Sequence, residues 1–442
     1  YQDRKLVSSE FAGQYATTVN IDPHYTAGNN TNFSEATIST TQQGSTITTN
    51  IKHNELGNTV HISDPTSNLD IGYNTVGQPN KPSSFTNTTS GITATTSYDA
   101  MGNVLSVMKS APSMPNITES FTYNNFNDVL KYTNANGAET IFTYNGTGNL
   151  TDITDALGNN TVIVPNIDGT VQKVTNPSGF YTEYTYDAFG NTKQSTLMGT
   201  ITSKADYDDA SRLTVATNPN NVKTKYDYNN NDQVTSVVYD FGNINNTMGY
   251  TYDANGNLTK VTNPKGDNTI LTYNDQDQLV QYNFLGLIKK YAYNQNGTLD
   301  TFINQNGIVF KNTYNADGTL ASDGYASYGY DANTNNLKTI TSNSTSKIIT
   351  FNYDNYQRVN SISYNDFGAN TVSYEYDKTN NITKIIYPGG FAVSYIYDVL
   401  GRLYQVKNFN TGAIYATYTY HFDGRLQQCV NGNNTKTIYL YD

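Results

Sequence analysis

A short sequence motif recurs along most of this chain. Tyr-Asp-x-x-Gly, followed by Asn or Arg, starts in clear form at Tyr98, Tyr186, Tyr252 and Tyr397, and an apolar residue comes next in all of these copies except that of Tyr186. With the weaker copies, seventeen starts lie between Tyr98 and Tyr441, and they are 16 to 25 residues apart, most often 21. Self-similarity at a fixed period of this length is the signature of a repeat architecture, in which each repeat is one supersecondary unit.

A 21-residue repeat has room for two strands and two turns. From Tyr252 to Tyr273 the sequence predicts a turn at 253–256, a strand at 257–262, a turn at 263–266 and a strand at 268–273. Pro264 fixes φ at the second position of the later turn, and Gly266 relieves a positive φ. Each repeat is therefore interpreted as a β-hairpin.

The composition agrees with an all-β fold. The 442 residues include 62 Asn, 39 Tyr and 33 Gly, and Asn and Gly favour turns over helices. A second aromatic often precedes the motif tyrosine by two residues, as Tyr250 precedes Tyr252, which predicts aromatic columns across neighbouring strands. Neither face of these strands is continuously apolar, so we expect a long curved sheet that is partly wet on both sides.

The candidate site residues are structural positions of this repeat. They are Tyr98, Asp99, Gly102, Tyr186, Asp187, Gly190, Tyr250, Tyr252, Asp253, Gly256, Pro264, Gly266, Tyr397, Asp398 and Gly401.

The motif at this spacing resembles the YD-repeat, or RHS-repeat, family, found in bacterial Rhs and wall-associated proteins, in shell components of insecticidal toxin complexes and in teneurins. The resemblance covers residues 98–442 clearly, with a degenerate copy near Gly57. It implies a sheet wound as a broad β-spiral, shell-like or fibre-like, which can enclose a cargo or present adhesive surfaces. The Asp-Pro-x-Gly segment that marks toxin release in the family is not found near the end of this chain, so only scaffold roles carry over.

The amino-acid composition changes near residue 55. Residues 1–55 are rich in Thr, Ser and Asn and are interpreted as a polar β extension or degenerate repeats, and 56–442 as the repeat array. The chain starts on Tyr1 and stops on Tyr441-Asp442, the opening of another repeat, so we expect both ends to be cuts in a longer polypeptide.

Charge and residue usage narrow the possible partners. The formal net charge is −11, so the chain lacks the excess of basic residues that is typical of a nucleic-acid-binding protein. No apolar run approaches the ~20 residues of a membrane helix. One cysteine, Cys429, and four scattered histidines give no zinc-type spacing. The Asp253 turn superficially resembles a calcium loop, but Pro264 stands where that loop needs Glu. We therefore predict no metal, no cofactor and no enzymatic activity.

The sequence favours a non-enzymatic structural scaffold, secreted or on the surface of a bacterial cell, as part of a shell wall or an extended fibre or adhesin. One alternative is encapsulation and delivery of a C-terminal toxin domain outside this segment. Another is a glycan-binding surface, which predicts that binding falls when Tyr250 and Tyr252 are changed to Ser. The predicted partners are further repeats of the same chain or identical chains at strand edges, surface glycans, or an enclosed toxin domain.

Overall fold

The computed structural model describes residues 8–12, 16–24, 33–42, 45–54, 56–64, 68–73, 79–365 and 370–441. Parts of the predicted 1–55 extension, Pro65 of the degenerate copy and Asp442 lie outside these residues. Every regular element in the described residues is a β-strand.

Forty-one strands lie within the described residues. They are β1 Ser8–Ala12, β2 Ala16–His24, β3 Phe33–Gln42, β4 Ser45–His53, β5 Thr59–Ser63, β6 Asn68–Tyr73, β7 Pro82–Asn87, β8 Ile92–Tyr98, β9 Val104–Ser110, β10 Ile117–Tyr123, β11 Val129–Thr133, β12 Glu139–Tyr144, β13 Leu150–Thr154, β14 Asn160–Pro165, β15 Val171–Thr175, β16 Tyr181–Tyr186, β17 Thr192–Leu197, β18 Ile201–Tyr207, β19 Leu213–Thr217, β20 Lys223–Tyr228, β21 Val234–Tyr239, β22 Asn246–Tyr252, β23 Leu258–Thr262, β24 Asn268–Tyr273, β25 Leu279–Phe284, β26 Leu287–Tyr293, β27 Leu299–Ile303, β28 Val309–Lys311, β29 Thr313–Tyr314, β30 Leu320–Ser322, β31 Ala326–Tyr330, β32 Leu337–Ser342, β33 Ile348–Tyr353, β34 Val359–Tyr364, β35 Asn370–Tyr376, β36 Ile382–Ile386, β37 Ala392–Tyr397, β38 Leu403–Asn408, β39 Ile414–Tyr420, β40 Leu426–Asn431 and β41 Lys436–Ile438.

The strands form open antiparallel sheets, one of 28 strands (β1–β28) and one of 13 (β29–β41). Strands that are consecutive in the sequence pair with each other, as β22 pairs with β23 and β23 with β24. The prediction of an all-β array of hairpin repeats is confirmed. The predicted strand 257–262 starts one residue later, at Leu258, because Asn257 closes the turn that begins at Asp253.

By its contacts the chain divides into two units. Unit 1 comprises Tyr1–Ile141, Lys311–Tyr420 and Leu426–Asp442, and unit 2 comprises Phe142–Phe310 and His421–Arg425. The boundary predicted between residues 55 and 56 is a different division and stays a prediction.

Little of either face is fully buried. In the described residues no side chain is less than 2% exposed, and half of the buried positions are alanines, such as Ala392 and Ala416. Exposure alternates along the strands: in β12 and β24 every second residue is exposed and those between are half-buried. One face of these strands is exposed and the other is half-buried, so both sides of the sheet are partly exposed to solvent, as predicted.

Candidate functional site: the repeat turns and their tyrosines

The Asp of the motif organises the turn that follows it. The Asp253 Oδ1 atom accepts hydrogen bonds from the backbone N–H groups of Asn255 (3.0 Å) and Asn257 (2.8 Å). The N–H of Asp253 donates to the carbonyl of Asn257 and the N–H of Gly256 to the carbonyl of Asp253. Gly256 has a φ of +93°, a backbone conformation that residues other than Gly adopt only with strain. The result is a tight turn closed by a β-bulge at Tyr252.

The other clear copies have the same geometry. The Oδ1 atoms of Asp99, Asp187 and Asp398 each accept from the N–H groups two and four residues later, and Gly102, Gly190 and Gly401 have positive φ. In two of them the side-chain amide of the residue after the glycine also donates to the carboxylate, and this bond holds the pKa of Asp99 and of Asp187 below its usual range.

The motif tyrosine fastens each hairpin to the one before it. Pairing between β21 and β22 ends at Ser236 and Gly249, so Val234 and Tyr252 lie where the two strands part. The Tyr252 hydroxyl bridges this gap by donating to the carbonyl of Val234 at 2.8 Å. The corresponding bonds run from Tyr98 to Pro82, from Tyr186 to Val171 and from Tyr397 to Ile382, at 2.7 to 2.8 Å.

The second turn of the repeat copies the first, with Asn in place of Asp. The Asn263 Oδ1 atom accepts from the N–H groups of Lys265 and Asp267, both at 2.9 Å. Pro264 lies at the position where a fixed φ suits the turn, and Gly266 has a φ of +87°. The turns on the two edges of the sheet are therefore built by one mechanism.

The aromatic before the motif tyrosine faces an aliphatic side chain in some repeats and another aromatic ring in others. Tyr250 lies opposite Val261, and in other repeats the partner of this aromatic is also aliphatic, as for Tyr374 with Ile385. Stacked rings do occur, as between Tyr291 and Phe302, whose centroids are 5.3 Å apart. Cross-strand aromatic pairs of the predicted kind therefore occur in some repeats, whereas in others the aromatic side chain faces a β-branched one.

Side chains after the motif glycine connect neighbouring turns along this edge of the sheet. Asn257 donates to Asp277 and Asn191 to Ser211. Where Arg replaces Asn, its guanidinium bonds the Asp of its own turn and lies over the next motif ring: Arg402 binds Asp398 and is 4.5 Å from the centroid of Tyr420. Cation–π contacts of this kind stabilise by about 0.5–1 kcal/mol at exposed sites.

Unit 1 contains a contact that sequence analysis missed. Tyr356, in the turn after β33, is only 5% exposed, and its hydroxyl lies 3.0 Å from the carbonyl of Lys109 and 2.7 Å from that of Pro115. Asn355 donates to the carbonyl of Pro112. The sequence holds one indication of this contact, an aromatic residue at the tip of a turn, but residues at turn tips are usually exposed.

A second contact of the same kind lies nearby. Asn136 donates to Asp377 and Thr379. In both contacts the partners are 241 to 247 residues apart in sequence, a little under twelve 21-residue repeats. Turns of the motif edge thus meet hairpin ends of the opposite edge.

Other candidate chemistry is sparse in the described part of the chain. There, no three His, Cys, Asp or Glu side chains are grouped to hold a metal ion. His61 pairs with Asp70 at 2.6 Å across neighbouring strands. None of the described residues belongs to a helix that is long and apolar enough to span a membrane.

Hairpin repeats tied by turn carboxylates and tyrosine hydroxyls define a structural repeat scaffold. The sequence matches the Teneurin YD-shell family over residues 40–245 and 224–386, and the chain belongs to that family. The comparison with curated protein sequences finds no match.

Solved structures share the fold. The crystal structure of TcdB2-TccC3 superposes with a TM-score of 0.66 at 12% identity, over 95% of this chain and 28% of that chain. TcdB2-TccC3 without its hypervariable C-terminal region gives 0.58 at 12% identity, over 94% of this chain and 29% of that chain. The crystal structure of TcdB2-TccC3-Cdc42 gives 0.59 at 13% identity, over 96% of this chain and 27% of that chain. This chain therefore spans less than a third of the length of these neighbours.

Proposed function

We propose that the chain is a non-enzymatic segment of a shell wall that encloses another polypeptide. The observation that carries this proposal is the contact in unit 1 between Tyr356 and the end of the β9–β10 hairpin. An extended fibre, in which each hairpin meets only its sequence neighbours, would not bring together residues 247 positions apart. A wall fastened edge to edge needs such contacts.

Family membership supports the same function. The YD-shell family is named for a shell, and the structural neighbour TcdB2-TccC3 was also solved without its hypervariable C-terminal region. We propose that the enclosed polypeptide is a C-terminal region of the full-length protein, that further repeats pair at the strand edges, and that the shell works outside the cell. The sheets need no continuous dry core to act as a wall, since turn and tyrosine hydrogen bonds hold them.

Electron microscopy of the purified full-length protein, combined with limited proteolysis, tests this proposal. We expect closed hollow particles, and a C-terminal region that resists protease until the particle is opened by denaturant. Uniform filaments, or a C-terminal region digested as fast in the native protein as in denaturant, would refute the shell.

A matched variant links the test to the structure. Tyr356→Ser removes the contact with the β9–β10 hairpin, whereas Tyr404→Ser changes a tyrosine that is 45% exposed. We expect faster digestion of the enclosed region in the first variant and wild-type protection in the second. Equal protection in both would show that the contact does not close the wall.

A further inference from the structure

Asn145, in unit 2, differs from the other asparagines that precede a glycine. The sequence has six Asn-Gly pairs, which begin at Asn136, Asn145, Asn255, Asn296, Asn306 and Asn431. In five of them the N–H of the glycine donates to a backbone carbonyl, at 2.8 to 3.2 Å. In the remaining pair, no backbone carbonyl of the described residues accepts from the N–H of Gly146, and both Asn145 and Gly146 are exposed. The nitrogen next to Asn145 is therefore not tied into the turn.

The same turn polarises the side-chain amide of Asn145. Its Oδ1 atom accepts from the N–H of Thr147 (3.0 Å), from the hydroxyl of Thr147 (2.7 Å) and from the N–H of Asn149 (2.9 Å). The corresponding oxygens of Asn134 and Asn263 accept from two backbone N–H groups each. Three donors draw electrons from Cγ and lie where a nucleophilic attack would place negative charge, as in an oxyanion hole.

Gly146 supplies a nucleophile beside this carbon. A bond between its backbone nitrogen and Cγ of Asn145 closes a five-membered ring, and the two groups already belong to adjacent residues, so little translational entropy is lost. Glycine has no Cβ to obstruct the approach. A Cβ built on Gly146 would meet no atom of the described surroundings within 4 Å, so these leave the same space open. The two residues are therefore placed to form a cyclic imide.

We propose that Asn145 is a site of spontaneous deamidation. The nitrogen of Gly146 gives its proton to water and bonds to Cγ of Asn145. The bond between Cγ and Nδ2 then breaks, and Nδ2 takes up a proton and leaves as ammonia. Water opens the cyclic imide at one of its two carbonyls, which leaves aspartate or isoaspartate at position 145. The reaction needs water alone as co-reactant, with no oxidant and no enzyme.

The aspartate product completes the repeat motif. Residues 144–150 read Tyr-Asn-Gly-Thr-Gly-Asn-Leu, and deamidation converts them to the Tyr-Asp-x-x-Gly-Asn-Leu form that starts at Tyr252. The turn accommodates this carboxylate, since Asp253 Oδ1 accepts from N–H groups at the same positions. Isoaspartate instead lengthens the main chain by one carbon and breaks this pattern. Deamidation thus adds a negative charge at the motif edge, independently of what the wall encloses.

Peptide mapping by mass spectrometry, on purified protein aged in water labelled with heavy oxygen, tests the proposal. We expect label to enter the peptide that contains Asn145, and faster at higher pH because the nitrogen of Gly146 must lose its proton. Asn136 is the internal control, since its amide donates to Asp377 and Thr379. Asn145 should convert at least about tenfold faster than Asn136, whose hydrogen bonds must first open.

Three variants separate this chemistry from the fold. Gly146→Ala adds a Cβ in open space at a position without positive φ, so its unfolding midpoint should match wild type while deamidation slows by about tenfold or more. Thr147→Val keeps the branched shape and removes the hydroxyl donor, so deamidation should slow severalfold. Asn145→Asp should unfold at the wild-type denaturant concentration.

The outcomes that would overturn the proposal are equally specific. They are an Asn145 that keeps its amide as long as Asn136 does, or a folded Gly146→Ala variant that deamidates at the wild-type rate. Deamidation of Thr147→Val as fast as wild type would show that the three donors do not activate the amide.

Discussion

At the scale of single residues, the two aromatic positions of the repeat have different requirements. The motif position is Tyr in the clear copies, and its hydroxyl donates to a backbone carbonyl where strands part, as Tyr252 does to Val234. The position two residues earlier also accepts Phe, as at Phe121 and Phe351, because its side chain packs against the residue opposite it on the paired strand. The hydroxyl is therefore used at the motif position, whereas the earlier position is used for packing and also holds side chains without a ring, such as Leu271 before Tyr273.

Changing Tyr252 to Phe separates these two requirements. The ring stays, the Val234 carbonyl loses its donor, and we expect the free energy of unfolding to fall by about 1 kcal/mol. Denaturant titration measures this change. Tyr404→Phe, at a tyrosine 45% exposed, should change it by less than about 0.5 kcal/mol. Equal effects at both sites would show that the hydroxyl bond contributes nothing.

At the scale of the turn, Asp and Asn are interchangeable acceptors. Asp253 and Asn263 receive the same pair of N–H groups through Oδ1. We expect Asp253→Asn to cost less than about 0.5 kcal/mol of unfolding free energy, and Asp253→Ala to cost about 1–2 kcal/mol because two N–H groups lose their acceptor. If both variants unfold at the same denaturant concentration, the side-chain acceptor is not what holds the turn.

Tyr328 offers a test in alkaline solution. Its hydroxyl donates to Asp323 at 2.8 Å, and this bond, with burial, raises the pKa of Tyr328 to about 12. A raised pKa in the folded state stabilises the protein below the unfolded value near pH 10, and this stability is lost as pH rises toward 12. In Tyr328→Phe the fall in unfolding midpoint between pH 10 and 12 should be smaller, and absorbance titration should lack one late tyrosinate. If the tyrosinate that the variant lacks is one that titrates near pH 10 in the wild-type protein, the assignment of the raised pKa to Tyr328 is wrong.

These local elements were predictable because their signals are local. Gly256 and Pro264 punctuate the sequence at the positions where the turns lie, and the 21-residue period sets the strand lengths. The hydrogen bond from the Tyr252 hydroxyl to the Val234 carbonyl was not predicted, since it depends on where pairing between β21 and β22 ends. Tyr356 was missed for a stronger reason: its partners, Lys109 and Pro115, are 247 and 241 residues away, and no periodicity within one repeat encodes which turn meets which hairpin.

At the scale of the whole molecule, repeats that contact only their sequence neighbours are quasi-one-dimensional, and their stability is a sum of neighbour terms. The contacts of Asn136, Asn355 and Tyr356 add another kind of term in unit 1, because they couple segments more than 240 residues apart. Loss of such a contact should therefore loosen one distant hairpin and leave the repeat ladder elsewhere intact.

Hydrogen exchange of Tyr356 variants tests this coupling. Tyr356→Ser removes a ring that is 5% exposed, which costs on the order of 3 kcal/mol, so amides of β9 and β10 should exchange at least tenfold faster. Tyr356→Phe keeps the ring and loses only the bond to the carbonyls of Lys109 and Pro115, and it should give a smaller increase. Amides of β22–β24, in unit 2, serve as the internal control and should be unchanged. Exchange in β9 and β10 that stays at the wild-type rate in Tyr356→Ser would mean that each hairpin is held by its sequence neighbours alone.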